Sequence, residues 1–117
     1  MDKISFNFKN RTAVITGGAQ GFGLDIAKRF LHSGAKVIIW DIDPKMIDKS
    51  LKDLNNSNLS SNIVDVSNYQ EVESTVNEIT RSSNIDILIN NAGITGPTAT
   101  LWEYDIEMWK KVVDINL

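Results

Sequence analysis

The chain has 117 residues, a formal net charge of −3 and no cysteine, and 42% of its residues are hydrophobic while 23% are charged. This length provides for one domain at most, with the composition of an ordinary globular protein and no pattern that favours a metal, a nucleic acid or a membrane as partner. The absence of cysteine excludes disulfides, thiolate nucleophiles and cysteine–zinc sites within the chain, and it favours a cytoplasmic location.

Short apolar runs alternate with helical patterns along the chain. The apolar runs predict β-strands over Ala13–Thr16, Lys36–Trp40, Asn62–Val66 and Ile85–Asn90. Apolar residues at helical spacing predict helices over Phe22–Ser33, Pro44–Leu54, Asn68–Arg81 and Asp105–Leu117. Because the strands are continuous apolar runs, we expect them to be buried on both faces of a parallel sheet.

The alternation predicts the α/β class, with a doubly wound parallel sheet (Rossmann fold) and strand order 3-2-1-4. A complete fold of this kind has two such halves, so residues 1–117 are expected to be a partial domain whose second half is missing. The fourth strand would then be an open edge of the sheet. We therefore interpret the sequence as the N-terminal half of a protein roughly twice as long.

A glycine-rich turn joins the first strand to the first helix. Its residues are Thr16, Gly17, Gly18, Ala19, Gln20, Gly21, Phe22 and Gly23. Glycines permit positive φ and let a ligand approach the backbone closely, while the start of the helix directs unpaired N–H groups at an anion such as a dinucleotide pyrophosphate. The spacing differs from the general G-x-G-x-x-G motif, and a plain strand-to-helix turn is the alternative interpretation.

With threonine in front, this turn resembles the T-G-x-x-x-G-x-G cofactor turn of the short-chain dehydrogenase/reductase family, classical type. The run Asn90-Asn91-Ala92-Gly93 follows the fourth predicted strand, and the family has the same N-N-A-G sequence at this place. The resemblance implies that Gly17, Gln20, Gly21, Phe22 and Gly23 contact the cofactor. It also implies that Asn90, Asn91, Ala92 and Gly93 line the cofactor riboses and brace the sheet.

Asp41 ends the second predicted strand, where a carboxylate can accept hydrogen bonds from the adenosine ribose hydroxyls. It would also repel the 2′-phosphate of NADP, because two unit charges about 4 Å apart repel by roughly 4 kcal/mol at an effective dielectric of about 20. Gln20 precedes Gly21 in place of a basic residue that could pair with this phosphate. Both features favour NAD over NADP, although Asp41 could also be only a turn residue before the helix start at Asp43 and Pro44.

Three further residues gain a role from the resemblance. Asp65 matches an aspartate that accepts from the adenine amino group, and the backbone of Val66 would bond the adenine ring. Asn116 matches the asparagine of the family's catalytic tetrad, which interrupts its helix and whose backbone holds a water that relays protons to a lysine. Without the resemblance, Asp65 and Val66 form an ordinary strand-to-helix turn and Asn116 is a helix cap.

The family's serine and Tyr-x-x-x-Lys pair are absent from the chain, since Glu73 lies four residues after Tyr69 and Met108 four residues after Tyr104. We therefore expect the chain alone to be inactive. The full-length protein is expected to transfer hydride between NAD and a small carbonyl or secondary alcohol, and to form a homo-oligomer. One alternative is a non-catalytic dinucleotide-binding module or remnant. Another is a different Rossmann protein such as a methyltransferase, which is disfavoured both by the run Asn90-Asn91-Ala92-Gly93 and by Asn116.

Overall fold

The computed structural model describes residues 4–117 of the chain. Within them, parallel strands form one sheet in the order β3-β2-β1-β4. The strands are β1 (Thr12–Thr16), β2 (Lys36–Asp41), β3 (Leu59–Ile63) and β4 (Ile87–Ile89). The helices are α1 (Gly21–His32), α2 (Pro44–Leu54), α3 (Tyr69–Thr80) and α4 (Ile106–Asn116), with a 3₁₀ turn over Leu101–Glu103. The predicted fold class and strand order are confirmed.

The core lies on both faces of the two central strands. Ile39 of β2 packs in one cluster with Ala27 of α1 and Ile47 of α2. Ile38, which points to the opposite face, packs in a second cluster with Ile79 of α3. Helices therefore cover both faces of the sheet, and this double cover explains why the central residues of β1 and β2, 13–15 and 37–40, are all apolar.

The prediction for β3 is wrong by three residues. The strand was expected over Asn62–Val66, whereas Leu59–Ile63 pairs with β2. Because β3 is an outer strand of the sheet, the serine and asparagine side chains at its centre remain at least partly accessible, and the strand has no continuous apolar run. Val64 is buried all the same, in the connection after the strand, where its amide donates to the Asp41 carbonyl over 3.1 Å.

The fourth strand is also shorter than predicted. The expected range was Ile85–Asn90, but pairing with β1 extends only from Ile87 to Ile89. Leu88 is 54% exposed, so the expected burial on both faces is wrong for β4 as it is for β3. Both strands have a single neighbour in the sheet, which leaves their outer sides uncovered within residues 4–117.

The helix bounds follow the predictions closely. Pro44–Leu54 is confirmed without change, and the other helices differ by one residue at their ends. Asn68 and Asp105, which were predicted as first helical residues, are instead N-caps whose side chains accept a backbone hydrogen bond. In the part of the chain that the structure describes, no helix has the length and apolar character that a membrane crossing requires.

Candidate cofactor site

An open cavity of about 340 Å³ lies at the carboxyl ends of the strands. Most of the predicted site residues line it, namely Gly17, Gln20, Phe22, Asp41, Asp65, Val66, Asn91, Ala92 and Gly93. A larger cavity of about 670 Å³ lies at the other end of the sheet, beside Thr12 and Lys36 at the start of β1 and β2. Parallel sheets bind ligands at the carboxyl ends of their strands, so the smaller cavity is the candidate site.

The glycine turn approaches the sheet closely at positions that only glycine can occupy. Gly17 and Gly21 have φ values of 62° and 57°, in the left-handed region that favours glycine. A Cβ atom on Gly23 would overlap the Gly17 carbonyl oxygen and would lie 2.6 Å from Nδ2 of Asn91. The turn therefore needs glycine at two positions for backbone conformation and at Gly23 for close contact.

Helix α1 begins without a side-chain cap, unlike the other α-helices of the described residues. The side chain of its N-cap, Gln20, makes no hydrogen bond to the helix, and the first turn contains no acidic residue. The Leu24 amide donates to the Gln20 carbonyl over 3.2 Å, so the amides of Gly21, Phe22 and Gly23 precede the intrahelical ladder. These amides and the positive end of the helix dipole lie beside the cavity, where they could bind an anion.

Asp41 is 8% exposed, and backbone amides hold its carboxylate from two sides. Its Oδ2 accepts from the Ala19 amide and its Oδ1 from the Asp43 amide, each over 3.2 Å. Each carboxylate oxygen retains a further lone pair that could accept a ligand hydroxyl. Among the described residues, neither lysine nor arginine lines the cavity, so the wall beside Asp41 offers an acceptor and a negative charge.

Asp65 and Val66 lie in the connection that follows β3, because the strand ends at Ile63 rather than at Val66. Oδ1 of Asp65 accepts from the amide and the hydroxyl of Ser67 over 2.9 and 2.6 Å. Its amide donates to Oε2 of Glu71 over 2.8 Å. Asp65 thus forms the expected local turn and also lines the cavity, so the structural and the adenine-binding interpretations are compatible.

The run from Asn90 to Gly93 connects the end of β4 to the glycine turn. Nδ2 of Asn91 donates to the carbonyls of Thr16 and Gly17 over 3.1 and 3.2 Å. Oγ1 of Thr16 accepts from the amides of Asn91 and Ala92, both over 3.0 Å. Asn90 is exposed and does not line the cavity. These bonds fix the position of the glycine turn relative to the fourth strand.

Asn116 is the last residue of α4 and lies at the rim of the site. Its Oδ1 accepts from the Ile94 amide and its Nδ2 donates to the Ile94 carbonyl, both over 2.9 Å. A Cβ atom on Gly93 would lie 3.3 Å from Oδ1 of Asn116. The side chain thus holds the loop after Gly93. Its role in proton relay stays a prediction.

The family model described as short chain dehydrogenase matches residues 11–117. The chain belongs to the short-chain dehydrogenase/reductase family. It is 30% identical over 118 residues to the 2-dehydro-3-deoxy-L-rhamnonate dehydrogenase (NAD(+)) of a Sphingomonas strain, with all of this chain and 47% of that protein covered. The family thus accounts for the fold, the glycine turn and the run that ends at Gly93 together.

Solved structures of short-chain dehydrogenases have the same fold. A short-chain dehydrogenase from Novosphingobium aromaticivorans superposes with a TM-score of 0.89 at 30% identity, over 95% of this chain and 42% of that one. An actinorhodin polyketide ketoreductase solved with NADPH superposes with a TM-score of 0.84 at 32% identity, over 92% of this chain and 42% of that one. The chain therefore spans about half the length of the relatives it matches.

Further residues of this short-chain dehydrogenase site lie outside the predicted cofactor-binding set. Ile42, Ile94 and Ile115 also line the cavity, where apolar side chains give no sequence signal that separates them from core residues. Trp40 lines it too, and its indole Nε1 is buried and makes no hydrogen bond within residues 4–117. Thr16 is the first residue of the glycine-rich turn, but its bonds to the Asn91 and Ala92 amides, which follow the neighbouring strand β4, are visible only in the fold.

Proposed function

We propose that the complete protein is an NAD-dependent oxidoreductase, which exchanges hydride between a nicotinamide and a small carbonyl compound or secondary alcohol. The observation that supports this most strongly is the uncapped start of α1, which leaves free backbone donors beside the cavity in a chain of this family. The cofactor, when bound, supplies or takes up the hydride. The residues that line the cavity would position this cofactor.

The first turn of α1 would hold the pyrophosphate. The amides of Phe22 and Gly23 have no acceptor in the helix, and their donor strength adds to the helix dipole of about half a unit charge. Gly17 and Gly21 allow close approach, since neither carries a Cβ between backbone and ligand. The pyrophosphate is common to NAD and NADP, so this arrangement would not discriminate between the two cofactors.

Asp41 would select NAD. Its carboxylate is already oriented by the amides of Ala19 and Asp43, so it can accept from a ribose diol without rearrangement. A 2′-phosphate at the same place would meet a negative charge in a largely buried setting, without a basic residue in the cavity wall of the described chain. The relatives include proteins named with NAD and with NADPH, so the proposed preference for NAD rests on Asp41 and not on membership of the family.

The remaining predicted residues would hold the other parts of the cofactor. Asp65 and Val66 would face the adenine, and Asn91, Ala92 and Gly93 would face the riboses, whereas Asn90 lies outside the cavity wall. Asn116 is proposed as the one catalytic group within the chain, acting through its backbone on a proton-relay water. Its side chain, which is bonded on both sides to Ile94, would keep that backbone in place.

The test is cofactor affinity in the protein made from its complete coding sequence. We expect wild type to bind NAD more tightly than NADP, and Asp41→Asn to lower this preference at least about tenfold, or about 1.4 kcal/mol. Asp43→Asn is the matched control, because it removes the same charge two residues away and keeps a good N-cap. An unchanged preference in Asp41→Asn would contradict the proposed selection.

Turnover is the second readout. We expect the complete protein to oxidise NADH with a small ketone, or to reduce NAD with a secondary alcohol, in a panel of both classes. Binding of NAD without turnover of any member would favour the alternative, a non-catalytic dinucleotide-binding module.

Assembly and location stay predictions. The proposal of a homo-oligomer is supported by the exposed apolar side chains of α4, among them Ile106 at 68% and Trp109 at 54%. A cytoplasmic location is supported by the absence of cysteine alone.

A further inference from the structure

The peptide groups on both sides of Ala19, in the middle of the glycine turn, are held by side chains from two different elements. Its amide donates to Oδ2 of Asp41 over 3.2 Å, and its carbonyl accepts from Oγ of Ser50 in α2 over 2.7 Å. All three residues are buried, with exposures of 0% for Ala19, 8% for Asp41 and 3% for Ser50. The turn is thus fixed at its centre from both the second strand and the second helix.

Ser50 is an unusual residue for its place. It lies inside α2, where serine is a poorer helix former than alanine and its hydroxyl commonly bonds a carbonyl of its own helix. Instead, it donates to a residue 31 positions earlier in the chain. Neither helix formation nor apolar packing accounts for a buried hydroxyl here, whereas the bond to Ala19 does.

The bonds around Asp41 form a closed ring. Oδ1 of Asp41 accepts from the Asp43 amide, and the Asp43 side chain caps α2 by accepting from the Lys45 and Met46 amides over 3.0 and 3.3 Å. Ser50, in the same helix, donates to the Ala19 carbonyl, and the Ala19 amide donates to Oδ2 of Asp41. Both carboxylate oxygens are therefore oriented by groups whose positions depend on α2.

From this geometry we infer that Ser50 is a positioning residue for NAD selection, acting through Ala19 on the carboxylate of Asp41. The inference rests on the proposed function, since it concerns how Asp41 meets the ribose diol. Loss of the hydroxyl leaves the carbonyl of the Ala19–Gln20 peptide without this donor. The preceding Gly18–Ala19 peptide shares the Ala19 Cα, so its amide, which bonds Oδ2 of Asp41, is then held less firmly. A carboxylate that must be ordered on binding gives weaker binding than one that is preorganised.

The test is Ser50→Ala in the complete protein, with dissociation constants for NAD and NADP measured by calorimetry. One net hydrogen bond corresponds to about fivefold in affinity, so we expect the preference for NAD to fall about fivefold. Ser50→Cys, which keeps the volume but offers only a weak donor, is expected to show the same fall. Ser74→Ala is the matched control, because its hydroxyl bonds the Glu71 carbonyl within its own helix.

A double-variant comparison separates positioning from general stability. In an Asp41→Asn background, Ser50→Ala is expected to leave the NAD-to-NADP ratio unchanged, because the group through which it acts has been altered. The inference is overturned if Ser50→Ala and Ser50→Cys keep the wild-type ratio, or if the fall is undiminished in that background. If wild type binds neither dinucleotide, the proposed function fails and this inference fails with it.

Discussion

The starts of α1 and α2 are built in opposite ways, although each helix follows the carboxyl end of one of the two inner strands. Helix α2 has Pro44 at its first position and Asp43 as N-cap, whose side chain accepts from two backbone amides. Helix α1 follows a glycine turn, and its N-cap Gln20 accepts through its backbone only. The start of α2 satisfies its first-turn amides with its own side chain, whereas the start of α1 leaves its first-turn amides free beside the cavity.

This difference has an energetic meaning. A good N-cap stabilises a helix by about 1 kcal/mol, and α1 lacks that contribution. An anion at the same place would satisfy the same donors and would benefit from the helix dipole. The start of α2 therefore serves folding, whereas the start of α1 is suited to a ligand, and substitutions at the two starts should have different consequences.

The largest expected effect comes from Gly23→Ala. Its new methyl group would overlap the Gly17 carbonyl and crowd Nδ2 of Asn91, so α1 must move away from the strands. We expect the free energy of unfolding to fall by about 3 kcal/mol, the upper end for overpacking, and NAD binding to be lost. Thermal unfolding and calorimetry of the complete protein measure both.

Gly21→Ala is the control for this change. A methyl group there meets nothing within 4 Å, but φ is 57°, so only backbone strain of about 1 kcal/mol is expected. If Gly23→Ala destabilised the protein no more than Gly21→Ala, close packing at Gly23 would not be what fixes the turn.

An intermediate effect is expected when α1 receives the kind of cap that α2 has. In Gln20→Asp, the new carboxylate can accept from the first-turn amides and occupy the place proposed for the pyrophosphate. We expect stability to rise by about 1 kcal/mol while NAD affinity falls at least about tenfold, since the new charge also repels the ligand. Gln20→Asn, a neutral cap, should weaken binding less. Unchanged affinity in Gln20→Asp would mean that these amides bind no anion.

The smallest effect on the site is expected when α2 loses its cap. Asp43→Ala removes the acceptor for the Lys45 and Met46 amides but keeps the backbone amide that bonds Asp41. We expect a loss of about 1 kcal/mol in unfolding free energy and an NAD dissociation constant within about twofold of wild type. A large loss of NAD affinity with little loss of stability would reverse the roles of the two starts.

Residues with strong local signals were predictable from the sequence. The central residues of β1 and β2 are apolar because they are buried on both faces, and Asp43 with Pro44 marks the start of α2. Edge strand β3 was misplaced because a strand with one neighbour and an accessible side needs no apolar residues. Val64 is apolar and buried but lies in the connection after β3, so the predicted strand was placed too far toward the C-terminus.

The site was predictable as a set of motifs but not as a network. The glycine turn and the run ending at Gly93 indicated which residues line the cavity, since each motif is local in sequence. The bonds of Ser50 to Ala19 and of Asn116 to Ile94 join residues 31 and 22 positions apart. No local pattern encodes such pairs, because they depend on how helices lie against strands.

The most direct test is a crystal structure of the complete protein with NAD bound. The account predicts pyrophosphate oxygens within about 3 Å of the Phe22 and Gly23 amides, at the start of α1, with the ribose diol on Asp41. A pyrophosphate bound elsewhere, with a protein side chain satisfying the first-turn amides of α1, would contradict it.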